Sequence, residues 1–178
     1  MSRIPTLETP RLTLRPFRAD EVDAVTELIN DPLVSATLDG IPYPYYRAYA
    51  EHWISLHESL FAERGELHLA VEQRASLELM GAVALLHRDG EVARHLGYWL
   101  GRRFWGCGYA TEAVRAIVGY ARQETRIGAV EARCMTENGA SLVVLERAGL
   151  RRVGPGEPVL KDGCVREVYA YVLEFERQ

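Results

Sequence analysis

Residues 97–121 read GYWLGRRFWGCGYATEAVRAIVGYA, and the rest of the chain is best interpreted outward from them. A short apolar strand leads through a loop with three glycines into a helix whose apolar residues share one face. Glycine lets the backbone approach a ligand closely because it has no Cβ. The start of a helix adds N–H groups without intrahelical partners and the positive end of a dipole. The stretch therefore predicts a binding site for a phosphate or pyrophosphate.

The spacing of the loop glycines distinguishes between classes of phosphate site. A dinucleotide fingerprint requires G-x-G-x-x-G, and a P-loop requires G-x-x-x-x-G-K-[ST]. Gly101 and Gly106 have the P-loop interval, but Cys107 stands where the lysine would be. The observed pattern is Arg103-x-x-Gly106-x-Gly108, followed directly by YATEA. Between a strand and a helix, this pattern resembles the acetyl-coenzyme A loop, [Q/R]-x-x-G-x-[G/A], of the GNAT superfamily of N-acetyltransferases.

Other segments extend the resemblance to the RimJ/RimL branch of that superfamily, the ribosomal-protein N-acetyltransferase type. ETPRLTLRP at 8–16 is similar to the opening strand of that branch, and GIPYPY at 40–45 precedes a helix carrying HWI at 52–54. ENGAS at 137–141 leads to LERAGL at 145–150, in the order and spacing of the branch. The matches cover most of the chain.

The predicted elements follow the order β-α-α-β-β-β-α-β-α-β-β within one domain over residues 1–178. The chain is therefore α+β, and its internal βαβ crossover requires some parallel strands. The resemblance implies a mixed, mostly antiparallel sheet of six to seven strands, with a parallel pair splayed at the cofactor site and helices on both faces. Strands are predicted at 12–17, 67–72, 79–86, 96–100, 130–135, 151–154 and 165–175, and the last two are joined around Asp162-Gly163. Helices are predicted at 20–30, 48–61, 110–124 and 138–148, and a loop is predicted at 41–46.

Composition restricts the function classes. The net charge of −4 argues against general nucleic-acid binding and suits a basic partner such as an amine. The sequence has neither an apolar run of membrane-spanning length nor an apolar signal core, so we expect no membrane association. Three cysteines without a C-x-x-C pair favour a reducing, cytoplasmic environment. The family resemblance also makes a homodimer an expectation.

The family resemblance implies how acetyl-CoA, the cosubstrate, would bind. Backbone amides of residues 103–111 would cradle its pyrophosphate at the helix start. Its pantetheine arm would pair with the backbone near Trp99 and Leu100, in a gap between the strands at 96–100 and 130–135. A backbone N–H there would polarise the thioester carbonyl. The predicted cofactor-binding residues are Trp99, Leu100, Arg103, Trp105, Gly106, Cys107, Gly108, Tyr109, Ala110, Thr111, Asn138 and Arg147, and no metal is expected.

Three of the side chains near this site have specific expected roles. Asn138 is predicted both to cap its helix and to contact the cofactor. Arg147 is expected to reach the adenosine phosphate. Glu112, in the first helical turn, would oppose a phosphate placed directly on it, so its side chain should point away and serve a structural role.

Acetyl transfer to an amine also requires proton handling. Many family members have a tyrosine as general acid one turn beyond Ser141, but this chain has Leu145 there. Ser141 is therefore the candidate acid. Histidine accepts a proton near neutrality, and His95 and His87 flank the strands beside the expected cleft. His95 is the candidate base.

The leading hypothesis is a cytoplasmic N-acetyltransferase that moves an acetyl group from acetyl-CoA to a primary amine by direct attack. The branch resemblance favours a protein N-terminal amine. A small amine, a polyamine, an amino acid or an antibiotic is the alternative acceptor. A non-catalytic acyl-CoA-binding sensor is the alternative from another class of protein, because the tyrosine acid is missing.

Overall fold

Eight strands form one mixed sheet in the computed structural model, which describes residues 3–88, 90–124 and 126–176. A separate hairpin contributes two more strands. The strands are β1 (Leu7–Glu8), β2 (Leu12–Arg15), β3 (Leu67–Gln73), β4 (Leu79–His87), β5 (Ala93–Leu100), β6 (Ala129–Met135), β7 (Arg151–Pro155), β8 (Val159–Lys161), β9 (Cys164–Arg166) and β10 (Val168–Glu174). The main sheet has the order β1-β2-β3-β4-β5-β6-β10-β7, and β8 pairs with β9.

Six α-helices accompany the sheet in the described part of the chain. They are α1 (Val22–Ile29), α2 (Pro32–Ala36), α3 (Arg47–Ser55), α4 (His57–Arg64), α5 (Tyr109–Gln123) and α6 (Gly139–Arg147). Short 3-10 turns at Ala19–Glu21 and Arg102–Phe104 precede α1 and α5. No helix among the described residues is long and apolar enough to cross a membrane.

Strand β3 shows how helical elements cover both faces of the sheet. Adjacent strand residues point to opposite faces. The Glu72 carboxylate accepts a hydrogen bond from the Arg15 guanidinium, which also donates to Glu21 just before α1. The next residue, Gln73, donates to the hydroxyl of Tyr109 in α5. The α+β class and the mixed sheet are therefore confirmed.

The predicted count of six to seven strands is too low. The main sheet alone has eight, because the two-residue β1, which was not predicted, pairs with β2. The predicted final strand at 165–175 is two strands. Its partners change at Glu167: β9 pairs with β8 around Asp162-Gly163, whereas β10 pairs with β6 and β7.

Two helix predictions also need correction. Asp31-Pro32 ends α1 as expected, but the same pair begins α2. The Asp31 carboxylate accepts from the amides of Leu33 and Val34, and proline suits the first helical position. The helix predicted at 48–61 is divided at Leu56, whose N–H bonds the carbonyl of Trp53, three residues back. The loop at 41–46 is confirmed.

Strands β5 and β6 form the parallel pair, with α5 as the crossover between them. Their pairing extends only from Ala93 opposite Ala129 to His95 opposite Glu131. Beyond His95, residues 96–100 stay paired with β4 on one side but not with β6 on the other. The sheet is therefore open in its interior, at the position expected for the splayed pair.

Candidate active site

The opening between β5 and β6 leaves backbone groups available in the middle of the sheet. In an antiparallel pair, every second residue directs its N–H and C=O away from its partner strand. Within residues 96–100 of β5 these outward groups face the gap, because the pairing with β6 has ended at His95. The carbonyl of Leu100 already accepts the indole N–H of Trp105 at 2.8 Å. That bond fixes the following loop to the end of β5.

The loop after β5 presents amides at the start of α5. Gly106 and Gly108 have φ of +75° and +79°, a left-handed conformation that favours glycine. Gly108 is the N-cap residue of α5, and no side chain caps the helix there. The first amides of α5, from Tyr109 to Thr111, lack intrahelical partners and lie at the positive end of the helix dipole. This geometry suits a pyrophosphate.

A cavity of about 1050 Å³ connects this loop with the opening in the sheet. We call the part formed by the loop and by α6 the cofactor end, and the part formed by Leu38, Ile41, Tyr45, Trp53 and His68 the α3 end. Most of the residues predicted from the sequence line the cavity. They are His95, Trp99, Leu100, Trp105, Gly106, Gly108, Tyr109, Ala110, Thr111, Asn138, Ser141 and Arg147.

Within the described part of the chain, two of the predicted loop residues, Arg103 and Cys107, do not line this cavity. The Arg103 guanidinium donates to Glu78 at 2.6 Å and lies over the ring of Phe104, 4.8 Å from its centroid. Cys107 is exposed, and its thiol donates weakly to the carbonyl of Trp105. Any contribution of these two residues to an anion would therefore come from their backbone rather than from their side chains.

The Glu112 side chain points away from the loop, as predicted. Its carboxylate accepts hydrogen bonds from the Thr9 hydroxyl at 2.7 Å, the Arg11 amide at 2.9 Å and the Arg11 guanidinium at 2.7 Å. Arg11 also donates to the carbonyl of Cys107 at 3.0 Å and lies over the ring of Tyr109. Burial raises the pKa of Glu112, but the bonds from Thr9 and Arg11 lower it overall. Glu112 thus anchors the glycine loop through Arg11.

We expect Glu112→Gln to weaken acetyl-CoA binding about 3- to 10-fold, since a charge-assisted contact that orders the loop is lost. Isothermal titration with acetyl-CoA measures the change. Glu78→Gln is the matched control, because it breaks the exposed Glu78–Arg103 pair on the same loop without touching the anchor. Equal affinities for the Glu112 variant, the control and the parent would remove the anchor from cofactor binding.

A tyrosine that sequence reasoning missed reaches Ser141. The Tyr98 hydroxyl lies 2.6 Å from the Ser141 hydroxyl and 3.3 Å from the Ser141 carbonyl oxygen. Burial raises the pKa of Tyr98 well above its ordinary value, and the hydrogen bond to Ser141 opposes that shift. The phenol therefore stays protonated at neutral pH. Tyr98 belongs to β5 and lines the cavity. Leu145, at the position of the family's tyrosine on α6, is instead buried in the core.

The carbonyl oxygen of the Asn138 side chain accepts from the Ser141 amide at 3.2 Å, which confirms the predicted helix cap. Asn138 lines the same cavity. Arg147, exposed at the end of α6, also lines it, and its carbonyl accepts from Arg115. Cys134 is buried at the cavity lining, its thiol donates weakly to the Asn138 carbonyl, and burial raises the pKa of that thiol.

The candidate base, His95, shares its strand face with Gly97 and Trp99 and lines the cavity. Its Nε2 lies 2.5 Å from a carboxylate oxygen of Glu91 and 3.9 Å from one of Glu131. The hydrogen bond to His95 is the largest cause that lowers the pKa of Glu91. Ligand atoms of these three groups lie within 4.8 Å of one another, a spacing that the hydrogen bond between His95 and Glu91 brings about. His87 instead contacts the Arg94 guanidinium.

Acetyl-CoA, which the sequence resemblance implies, fits the chemistry of this cavity. A pyrophosphate needs N–H donors, and the uncapped start of α5 supplies them. The amides of a pantetheine arm need backbone partners, and the open side of β5 supplies those. Gly106 and Gly108 carry no Cβ, so the loop backbone can approach a ligand closely at these two positions.

Comparisons with known proteins agree with this geometry. The chain matches the acetyltransferase (GNAT) domain over residues 11–151. It is 28% identical over 174 residues to the uncharacterized N-acetyltransferase p20 of Bacillus licheniformis, covering 94% of this chain and 95% of that protein. A solved acetyl transferase from Salmonella typhimurium, which modifies the N-terminal serine of 50S ribosomal subunit protein L7/L12, has a TM-score of 0.82 at 19% identity and covers 97% of this chain and 100% of its own.

Mycobacterium smegmatis RimJ in complex with CoA-disulfide has a TM-score of 0.84 at 18% identity, covering 96% of this chain and 88% of its own. The solved structures share the fold, and the domain match spans most of the sequence. The resemblance to the GNAT superfamily drawn from residues 97–121 is thereby confirmed, and solved RimJ/RimL-type structures share the fold. With its glycine loop, open strand and matching domain, the chain belongs to the GNAT acetyltransferase family.

Proposed function

We propose that this protein transfers an acetyl group from acetyl-CoA to the N-terminal amine of a protein by direct attack. The observation that carries the proposal is the continuity of one cavity. It joins the uncapped start of α5, the open side of β5, the Tyr98–Ser141 hydroxyl pair and the α3 end. A cofactor site alone would not need the α3 end, which offers room for a second substrate.

Different residues of the chain would contribute to different parts of the reaction. When bound, acetyl-CoA supplies the acetyl thioester. The amine nitrogen forms a bond to the acetyl carbon while the carbon–sulfur bond breaks, and the amine proton must leave as the sulfur gains one. A backbone N–H on the open side of β5 would polarise the carbonyl. Ser141 would direct its hydroxyl to the departing sulfur, and Tyr98 would hold Ser141 in that orientation.

His95 would accept the amine proton. Its Nε2 faces the Glu91 carboxylate, so an N–H there donates to Glu91 and leaves Nδ1 as the acceptor nitrogen. A carboxylate partner also stabilises the imidazolium that forms after proton transfer. The His–carboxylate pair therefore supports His95 as the base.

The nature of the acceptor is supported by the solved neighbours. The Salmonella typhimurium protein modifies an N-terminal serine of a ribosomal protein, and its chain covers the same elements as this one. An open cleft beside α3 suits the extended end of a chain, which can enter with its amine first.

The test is turnover with acetyl-CoA against a panel of N-terminal peptides, N-terminally blocked lysine peptides and small amines, followed as release of free thiol. We expect thiol release with unblocked peptides and a mass increase of one acetyl group at the terminal amine. Turnover with small amines alone would show that the acceptor is a small amine and not a protein. Cofactor binding by calorimetry without turnover on any amine would support the acyl-CoA-binding sensor instead.

A further inference from the structure

The floor of the cavity at the α3 end is a row of residues across three strands. His68 of β3 lies opposite Ala84 of β4, which lies opposite Gly97 of β5. All three line the cavity. The two inner positions carry only a methyl group and a hydrogen, so the sheet surface is depressed between β4 and β5. Ala82, two residues from Ala84 on the same face, extends the depression toward Trp99.

Gly97 leaves open space in the cavity, although its backbone conformation does not require glycine. Its φ lies outside the left-handed region, so any residue could adopt this conformation. A Cβ built at Gly97 meets no other atom within 4 Å. The missing side chain therefore leaves open volume in the cavity rather than relieving backbone strain.

Several apolar side chains at the α3 end are fixed by their own contacts. Trp53 packs edge-on against the His68 ring at 6.1 Å and is held from behind by Phe17 at 5.0 Å. Tyr45 is 5% exposed, and Asn30 bonds both its amide and its carbonyl. Leu38 and Ile41 complete the wall. A pocket that is formed in advance loses little conformational freedom when it is filled.

Three of the charged or titratable side chains that line the cavity, Asp39, Arg133 and His95, already have partners. Asp39 lies 3.5 Å from the Arg133 guanidinium, which is also 3.9 Å from Glu157. His95 is paired with Glu91. A charged side chain of a substrate would compete with these pairs, whereas an apolar one would only displace water from the depression.

The depression also lies beside the reacting groups. Pairing of β5 with β6 ends at His95, so Gly97 belongs to the first part of the open strand. Because neighbouring strand residues point to opposite faces, Gly97 opens into the depression while Tyr98 carries its hydroxyl to Ser141. A group placed on the Gly97 floor is thus next to the backbone that the acetyl end would reach.

We infer that the acceptor is an N-terminal residue with a large apolar side chain, aliphatic or aromatic, which fills the depression over Ala84 and Gly97 while its amine faces the acetyl group. This inference rests on the proposed function, since it specifies the acceptor of the same site. N-terminal leucine, methionine and phenylalanine fit the depression, whereas glycine, alanine and serine leave it empty.

Peptides that differ only in their first residue test the inference. With acetyl-CoA saturating, kcat/KM for N-terminal Leu, Met and Phe peptides is expected to exceed that for Gly, Ala and Ser peptides by about 10- to 100-fold, from the burial of apolar surface. Binding of each peptide in the presence of CoA, measured by calorimetry, gives a second readout that does not depend on turnover.

Gly97→Leu fills the depression and should reduce the preference for large over small first residues at least ten-fold. Gly97→Ala adds one methyl group to open space and should reduce it by a smaller factor, which keeps the test valid if the leucine variant does not fold. Gly119→Ala is the matched control, because a Cβ at Gly119 in α5 also meets no atom within 4 Å. It should leave the preference unchanged.

The outcomes separate this inference from the proposed function. Acetylation of Gly, Ala and Ser peptides as efficiently as Leu and Phe peptides would overturn the pocket assignment and leave the proposed function intact. Binding of Leu and Phe peptides without turnover, abolished by Gly97→Leu, would support the pocket while the proposed transfer fails. If no peptide binds or reacts, both are wrong.

Discussion

Ser141→Ala is expected to lower kcat by about two to four powers of ten, the usual loss when a positioned proton donor is removed. Affinity for acetyl-CoA should stay within a few-fold, because Ser141 lies on α6 and not on the glycine loop expected to hold the pyrophosphate. Ser141 has the only side-chain hydroxyl that α6 presents, and its partner Tyr98 stands 2.6 Å away. Single-turnover kinetics with saturating acetyl-CoA measure the chemical step directly.

Tyr98→Phe distinguishes the contribution of the Tyr98 hydroxyl from that of the Ser141 hydroxyl. If Tyr98 acts by orienting Ser141, its loss should lower kcat about ten-fold and leave KM for acetyl-CoA nearly unchanged. In the Ser141→Ala background the same change should have little further effect, because residues that act as a unit are non-additive. Tyr171→Phe is the matched control: Tyr171 is buried and donates to Glu146 at 3.3 Å, but it lies outside this cavity.

Strictly additive losses would make Tyr98 an independent contributor. A Ser141→Ala rate within two-fold of the parent would remove the serine from the mechanism, and protonation by water or by the substrate would then be the preferred account.

Gly106→Val is expected to weaken acetyl-CoA binding about 10- to 100-fold. A β-branched residue at φ of +75° costs ~1–2 kcal/mol or forces the loop amides to turn away from the ligand. A Cβ at Gly106 meets no protein atom within 4 Å, so the loss reflects the backbone and the space reserved for the ligand rather than a clash in the fold. Calorimetry and the thermal shift caused by acetyl-CoA both report it.

Gly65→Val is the control for this prediction. Gly65 ends α4 with φ of +65°, so valine there brings the same backbone strain at a residue that does not line the cavity. It should lower the melting temperature without changing cofactor affinity. Gly106→Val with the affinity of the parent would contradict the assignment of the loop to the pyrophosphate.

The sequence predicted the fold best where local chemistry and packing agree. Residues 97–121 specify strand, loop and helix by their own periodicity and glycines, and the direction of the Glu112 side chain followed from charge alone. The predicted strand at 165–175 spans two strands because no glycine or proline marks a break between Val165 and Val168. Only the pairing of β9 with β8 and of β10 with β6 and β7 shows that the partners change.

The Tyr98–Ser141 pair could not be predicted in the same way. Alternation along β5 places Tyr98 on the face opposite Trp99, which is visible in the sequence. Its meeting with Ser141 depends on how α6 packs after β6, and no local pattern contains that distance. Leu145 shows that α6 has no tyrosine at that position, but it does not show which other element supplies a second hydroxyl.

The open side of β5 has a consequence for the behaviour of the protein in a crowded solution. Unpaired strand edges are templates on which other chains add strands, and proteins usually blunt them with charges, prolines or bulges. Here residues 96–100 of β5 have no pairing with β6, yet they lie inside the sheet instead of at its periphery. A foreign strand cannot enter alongside them, whereas a slender ligand arm can. The same hydrogen-bonding capacity that would promote aggregation at an outer strand is thereby kept for a ligand alone.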